Sequence, residues 1–176
     1  QVAAVAGHKV VLYDTNEQAL DRAKKNLSST LQKLEEKGKV TSAKDVLSRI
    51  SFADNIVEFS HCGLIIEAII ENLEVKKSVF NEVEIVVSQE CILASNTSSL
   101  SITSIAAACK NPSRVMGLHF FNPAPLMALV EVIPAIQTNQ SLIPVARDLM
   151  VQWGKTPVIT KDTPGFIVNR VARPFY

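Results

Sequence analysis

Short apolar runs alternate with amphipathic stretches from residue 8 to about residue 110, and this alternation constrains the fold more than any other feature. Residues 8–13 read as a buried strand ending at Asp14. Thr15-x-x-Gln18 has the form of a capping box. It predicts a helix to about Lys37, with Leu20, Ala23, Leu27, Leu31 and Leu34 at helical spacing. Ser42-x-x-Asp45 predicts the cap of a short helix, and residues 50–53 a short strand. Residues 64–70 form an apolar run broken only by Glu67, as in a strand covered on both faces. Residues 73–87 read as a helix with Leu73, Val75, Val79, Val83 and Val87 inward. A strand over 92–94, a polar cluster over 95–99 and a helix over 101–108 follow. Then come strands over 115–121 and 127–133, joined by an Asn122-Pro-Ala-Pro125 turn, a helix near 142–153 and a strand over 157–159. Asp162-Thr-Pro-Gly-Phe166 is expected to open a last helix, with Pro164 in its first turn. Repeated strand–helix–strand units predict an α/β fold: an open, doubly wound, mostly parallel sheet.

Composition narrows the function classes. The 176 residues are 47% hydrophobic and 20% charged, which excludes a disordered chain. The formal charge of +1, without a basic stripe, speaks against a nucleic-acid partner. No apolar run reaches the roughly 20 residues of a membrane-spanning helix. Cys62, Cys91 and Cys109 lack CxxC spacing. They point to a reducing, cytoplasmic setting and away from a metal site. The chain opens on Gln1-Val-Ala-Ala-Val-Ala-Gly7, a helix composition closed by a glycine suited to a left-handed cap. It stops within another expected helix over 169–176. A longer parent chain is therefore expected.

In such sheets ligands sit at the carboxyl ends of strands, so the polar groups there are the candidates. Asp14 reads either as an acceptor for ribose hydroxyls or as a helix cap. Glu67 and Glu71 need a partner or a role if buried, and otherwise face solvent at a strand end. Lys76, one helical turn after Asn72, either faces the same crevice or is a solvated helix residue. Ser95, Asn96, Thr97, Ser98 and Ser99 offer more donors than one helix cap needs. His119 and Glu131 are centred on position 125 in the predicted turn, so a hairpin would set them face to face. A carboxylate beside an imidazole fixes its tautomer and stabilises the imidazolium, as a general base requires. The same pair could instead only hold two strands together. Asn122 and Asn169 are further candidates.

Four segments carry a family likeness. Ser95-Asn-Thr-Ser-Ser-Leu100, Gly117-Leu-His-Phe-Phe-Asn-Pro123, Leu129-Val-Glu-Val132 and Asp162-Thr-Pro-Gly-Phe-Ile-Val-Asn-Arg170 resemble, in order, signature segments of the 3-hydroxyacyl-CoA dehydrogenase family. The residues from Asn169 to Tyr176 resemble its bacterial branch acting on 3-hydroxybutyryl-CoA or 3-hydroxyadipyl-CoA. The resemblance implies a Rossmann-type NAD domain over residues 1–163, its first strand and glycine-rich loop lying upstream. It implies the start of a helical, dimerising domain over 164–176, hence a homodimer formed through the segment that follows. It implies NAD as cofactor and an acyl-CoA as substrate. His119 would be the catalytic base, Glu131 its orienting partner, and Ser98 and Asn169 the groups holding the C3 oxygen. Asp14 would bind the adenosine ribose. Glu71, Lys76, Asn96, Ser98 and Asn122 would lie near the nicotinamide ribose or substrate, and Thr30 and Lys37 would contact coenzyme A. The family commonly has a lysine where this chain has Ala128. Two other classes compete: a non-catalytic dinucleotide or acyl-CoA binder of the same fold, and a 3-hydroxy-acid dehydrogenase with a lysine base.

Overall fold

The computed structural model describes residues 1–172, which form two compact units, one over Gln1–Glu58 and one from Phe59 onward. The first unit runs α1 (Val2–Val5), β1 (Val10–Leu12), α2 (Glu17–Glu36), α3 (Ala43–Leu47) and β2 (Ile50–Phe52). β1 and β2 pair in parallel, with Val10 opposite Ile50. Ala4, Leu31, Ala43, Val46 and Ile50 form its core, with Leu27 and Leu34 of α2 packed against them. Gly7 takes φ +98° after α1, as its composition predicts. The predicted capping box at Thr15 does not form. The Asp14 carboxylate accepts the Asn16 amide at 2.8 Å, and Asn16 caps α2 by accepting the Ala19 amide at 3.2 Å. An Asx turn has moved the cap one residue on.

The second unit runs β3 (Leu64–Glu67), α4 (Leu73–Val86), β4 (Ile92–Ser95), α5 (Ile102–Ala106), β5 (Val115–Phe120), β6 (Leu129–Pro134), α6 (Leu142–Gln152), β7 (Thr156–Ile159) and α7 (Val168–Ala172). Its sheet is ordered β3-β4-β5-β6-β7, parallel throughout except for the antiparallel β5–β6 pair. Alternation along each strand divides the core. Leu93, Val115 and Ile133 face α4 and α5. Ile92, Ala94, Met116, Leu118, Val130 and Val132 face α6 through Ala146 and Met150. Helices thus cover both faces, and the mostly parallel, Rossmann-type α/β fold is as predicted.

Three local expectations are corrected. β3 stops at Glu67 rather than residue 70, because the Glu67 carboxylate accepts the Ile69 amide at 2.6 Å and turns the chain. The inward face of α4 carries Lys76, Phe80, Val83 and Glu84, while Val75 is 38% exposed. Leu73, Val79, Val83 and Val87 pack on the core as their spacing predicts, and ion pairing brings Lys76 and Glu84 inside beside them. Pro164 lies before the last helix, not in its first turn: Gly165 (φ +74°) and Phe166 (φ +49°) make a left-handed turn, and α7 begins at Val168. Of the expected helical segment over 164–176, residues 173–176 lie outside the described residues.

Candidate active site

The antiparallel β5–β6 ladder sets His119 directly opposite Glu131, the register that a turn centred on 125 predicts. Both side chains are buried, and His119 Nδ1 lies 2.7 Å from Glu131 Oε2. Gly117, two residues before His119 on the same face, has no room for a side chain. A Cβ there would come within 2.9 Å of both Ile102 Cδ1 and Ile133 Cδ1. The rings of Phe121 and Phe166 flank the imidazole at 4.5 and 5.8 Å between centroids. Glu131 is fully engaged, since its Oε1 accepts the backbone amides of Ile167 at 2.9 Å and Val168 at 3.0 Å. A carboxylate held by three donors has one orientation. As an acceptor at Oε2 it assigns the proton to Nδ1 and leaves the Nε2 lone pair for chemistry.

A second network joins the ends of β3 and β4. Lys76, 1% exposed, places Nζ 2.6 Å from Glu67 Oε1 and 3.4 Å from Glu71 Oε2. Ser95 donates to Glu67 Oε2 at 2.7 Å. Glu71 Oε1 accepts from the Thr97 hydroxyl at 2.5 Å, the Ser98 amide at 3.0 Å, and the Ser98 and Ser99 hydroxyls at 3.3 and 3.4 Å. Burial alone would raise the Glu71 carboxyl. The Thr97 and Ser98 hydrogen bonds and the Lys76 charge outweigh it and hold it below the ordinary carboxylate value. Asn169 donates to the Ser98 carbonyl at 2.9 Å, and Asn96 accepts the Phe120 amide at 2.8 Å.

The structure thus brings His119, Glu131, Ser98, Asn169, Glu71, Lys76 and Asn96 into two linked networks of one unit. Lys76 is inside the protein, not on a solvated helix face, and Glu67 is the buried partner that sequence reading left open. Asn122 lies on the exposed turn after β5, at a cis peptide to Pro123. Asp14, Thr30 and Lys37 belong to the first unit, all exposed. Asp14 serves α2's Asx turn and also sits at the carboxyl end of β1. Its negative charge there suits a ribose diol and opposes a 2′-phosphate. Sequence reasoning missed Asp162. Its carboxylate accepts from the Ser101 hydroxyl (2.9 Å) and the Ile102 and Thr103 amides (3.0 and 2.7 Å), capping α5 from 60 residues away. The available signal was its place before a Pro-Gly turn. Among the described residues there is no group of three or more His, Cys, Asp or Glu able to hold a metal, and no helix long and apolar enough to cross a membrane.

A mostly parallel sheet with helices on both faces and polar clusters at its strand ends defines a dinucleotide-binding type of α/β domain. Residues 1–163 match the family described as 3-hydroxyacyl-CoA dehydrogenase, NAD binding domain. The chain is 44% identical over 175 residues to a probable 3-hydroxybutyryl-CoA dehydrogenase of Deinococcus radiodurans, covering 99% of this chain and 63% of that protein. It is 46% identical over 178 residues to the 3-hydroxyadipyl-CoA dehydrogenase of Escherichia coli, covering all of this chain and 38% of that one. The crystal structure of a 3-hydroxybutyryl-CoA dehydrogenase from Escherichia coli superposes with a TM-score of 0.96 at 46% identity, over 99% of this chain and 38% of its own. The chain belongs to the NAD-binding domain family of the 3-hydroxyacyl-CoA dehydrogenases, and it spans less than two thirds of the length of these relatives.

Proposed function

We propose that this chain supplies the cofactor site and the proton-transfer groups of an enzyme that oxidises the L-3-hydroxyl of an acyl-CoA to a 3-ketone with NAD. The observation that carries this reading is the buried His119–Glu131 pair at 2.7 Å on adjacent antiparallel strands, with the Ser98 loop and Asn169 hydrogen-bonded to each other in the same unit. Bound NAD supplies the hydride acceptor for C3. His119 Nε2 takes the hydroxyl proton as the C3–H electron pair departs, and Glu131 stabilises the imidazolium so formed. Such base assistance contributes about 10²–10⁴ in rate. Ser98 and Asn169 hold the oxygen as it changes from hydroxyl to carbonyl. Glu71, Lys76, Asn96 and Asn122 line the nicotinamide side, and Lys76 acts there through Glu71, since its amine is buried against Glu67 and Glu71. Asp14 takes the adenosine ribose, and Thr30 and Lys37 contact the coenzyme A moiety.

The partner is an acyl-CoA, not a nucleic acid or a membrane, in a cytoplasmic homodimer whose contact is formed by the helical domain beyond residue 163. The buried His–Glu pair favours this reading over a lysine-base 3-hydroxy-acid dehydrogenase. The test is NADH formation by the parent enzyme from a 3-hydroxyacyl-CoA beside the corresponding free acid. Turnover of the thioester alone is expected; turnover of the free acid alone, or of neither, overturns the assignment.

A further inference from the structure

The least expected contacts of the second unit converge on one short segment. Residues 162–169 reach the His119 ring, the Glu131 carboxylate and the Ser98 carbonyl without lying in their sheet. Asp162 fastens the segment to the first turn of α5 by three hydrogen bonds. The chain then folds through a tight turn, in which the Phe166 amide donates to the Thr163 carbonyl at 2.8 Å. A Cβ on Gly165 would lie 2.9 Å from the Arg170 backbone nitrogen, so this turn requires glycine. Phe166, 2% exposed, takes φ +49° and stands beside the His119 ring. A bulky residue adopts that conformation only where its surroundings impose it. Beyond it, the Ile167 and Val168 amides hold Glu131 Oε1, and Asn169 holds the Ser98 carbonyl.

We propose that the segment Asp162–Asn169 is a strap that positions the His119–Glu131 pair, with Asp162 as its anchoring residue. Without the strap, the 1%-exposed Glu131 carboxylate would keep one oxygen on His119 and leave the other without its two donors. It could then rotate, and nothing on its far side would hold the imidazole in the tautomer with Nε2 unprotonated. The anchor works on the same face, because it caps α5 where Ile102 packs against Gly117, two residues from His119. Asp162 and Phe166 act through Glu131 and His119, so they are positioning residues. What the strap positions takes its catalytic meaning from the proposed function; the positioning itself is read without turnover.

The test uses the ¹⁵N-labelled full chain, with the His119 ring signals identified by their loss in His119→Gln. Asp162→Asn keeps the size of the anchor but cannot accept all three hydrogen bonds. Val168→Pro deletes one amide donor at the first position of α7, where proline is accommodated. In buffer alkaline enough to keep the ring deprotonated, the wild type is expected to show one tautomer, protonated at Nδ1. Both variants are expected to keep the α/β circular dichroism and cooperative melting while their two ring-nitrogen shifts move towards each other. Wild-type ring shifts in both folded variants, or ring changes only in variants that have lost the fold, overturn the strap. In the parent enzyme, the same substitutions are expected to lower kcat about tenfold with KM for both substrates unchanged. If the parent turns over no 3-hydroxyacyl-CoA, the proposed function fails while the ring shifts still decide the strap.

Discussion

Glu131→Gln isolates what the carboxylate contributes, because it changes one atom and no volume. The side chain is 1% exposed, with His119 Nδ1 on Oε2 and two backbone amides on Oε1. A glutamine has one accepting oxygen and one donating nitrogen, so it can serve only one side. If its nitrogen faces the two amides, two buried donors are orphaned at about 1–3 kcal/mol each. If its nitrogen faces His119, only one contact inverts, so this orientation wins. Nδ1 must then accept, the ring proton moves to Nε2, and the base faces the substrate with its lone pair occupied. A wrong tautomer in a comparable carboxylate–histidine pair costs about 10⁴ in turnover, which sets the scale here at roughly 10²–10⁴. The assay is NADH formation by the parent enzyme from 3-hydroxybutyryl-CoA, the direction in which Nε2 must accept a proton, beside a thermal melt. The expected result is a kcat lower by that factor with a stability loss of about 1–3 kcal/mol. A variant that folds and retains kcat within about threefold would refute the tautomer argument.

Further consequences follow from the packing and charges. Gly117→Ala pushes a methyl to 2.9 Å from Ile102 and Ile133, so a loss of about 1–3 kcal/mol in urea unfolding is expected, partly recovered by a second change, Ile102→Val. At Glu84, burial raises the carboxyl, but the Asn111 and Lys110 amides and Arg114 outweigh it and hold it below its ordinary value. Its stabilisation is therefore present above about pH 4.3 and lost as pH falls through the lower folded value, and Glu84→Gln should flatten the acid limb of unfolding free energy against pH. Burial pushes the Cys91 and Cys109 thiols up to about 11. Iodoacetamide at neutral pH should label the partly exposed Cys62 first, and equal labelling of all three would contradict this burial.

The fold was legible wherever local chemistry and pattern agreed. The strand–helix alternation placed the sheet, Ser42 capped its helix as its spacing predicts, and the symmetry of 119 and 131 about the Asn-Pro-Ala-Pro turn paired the histidine with the glutamate. What stayed hidden was held by distant partners. Glu67 meets Ser95 across 28 residues and Asp162 meets Ser101 across 61, separations that no local pattern encodes. The apolar spacing of α4 places Leu73, Val79, Val83 and Val87 on the core but not Lys76, which a carboxylate on β3 draws inward, nor the exposure of Val75. The last helix begins later than Pro164, a strong helix-start signal, predicts, because the left-handed Gly165–Phe166 turn depends on tertiary packing around His119.

One comparison tests most directly the proposed role of His119 as the base of an acyl-CoA dehydrogenation. NADH absorbance at 340 nm is followed with acetoacetyl-CoA for the parent enzyme and for His119→Ala, alongside NADH binding by fluorescence. Turnover by the parent, a fall of at least about 10²-fold in the variant, and unchanged NADH binding are expected. Near-parental turnover by a variant that binds NADH normally would contradict that role.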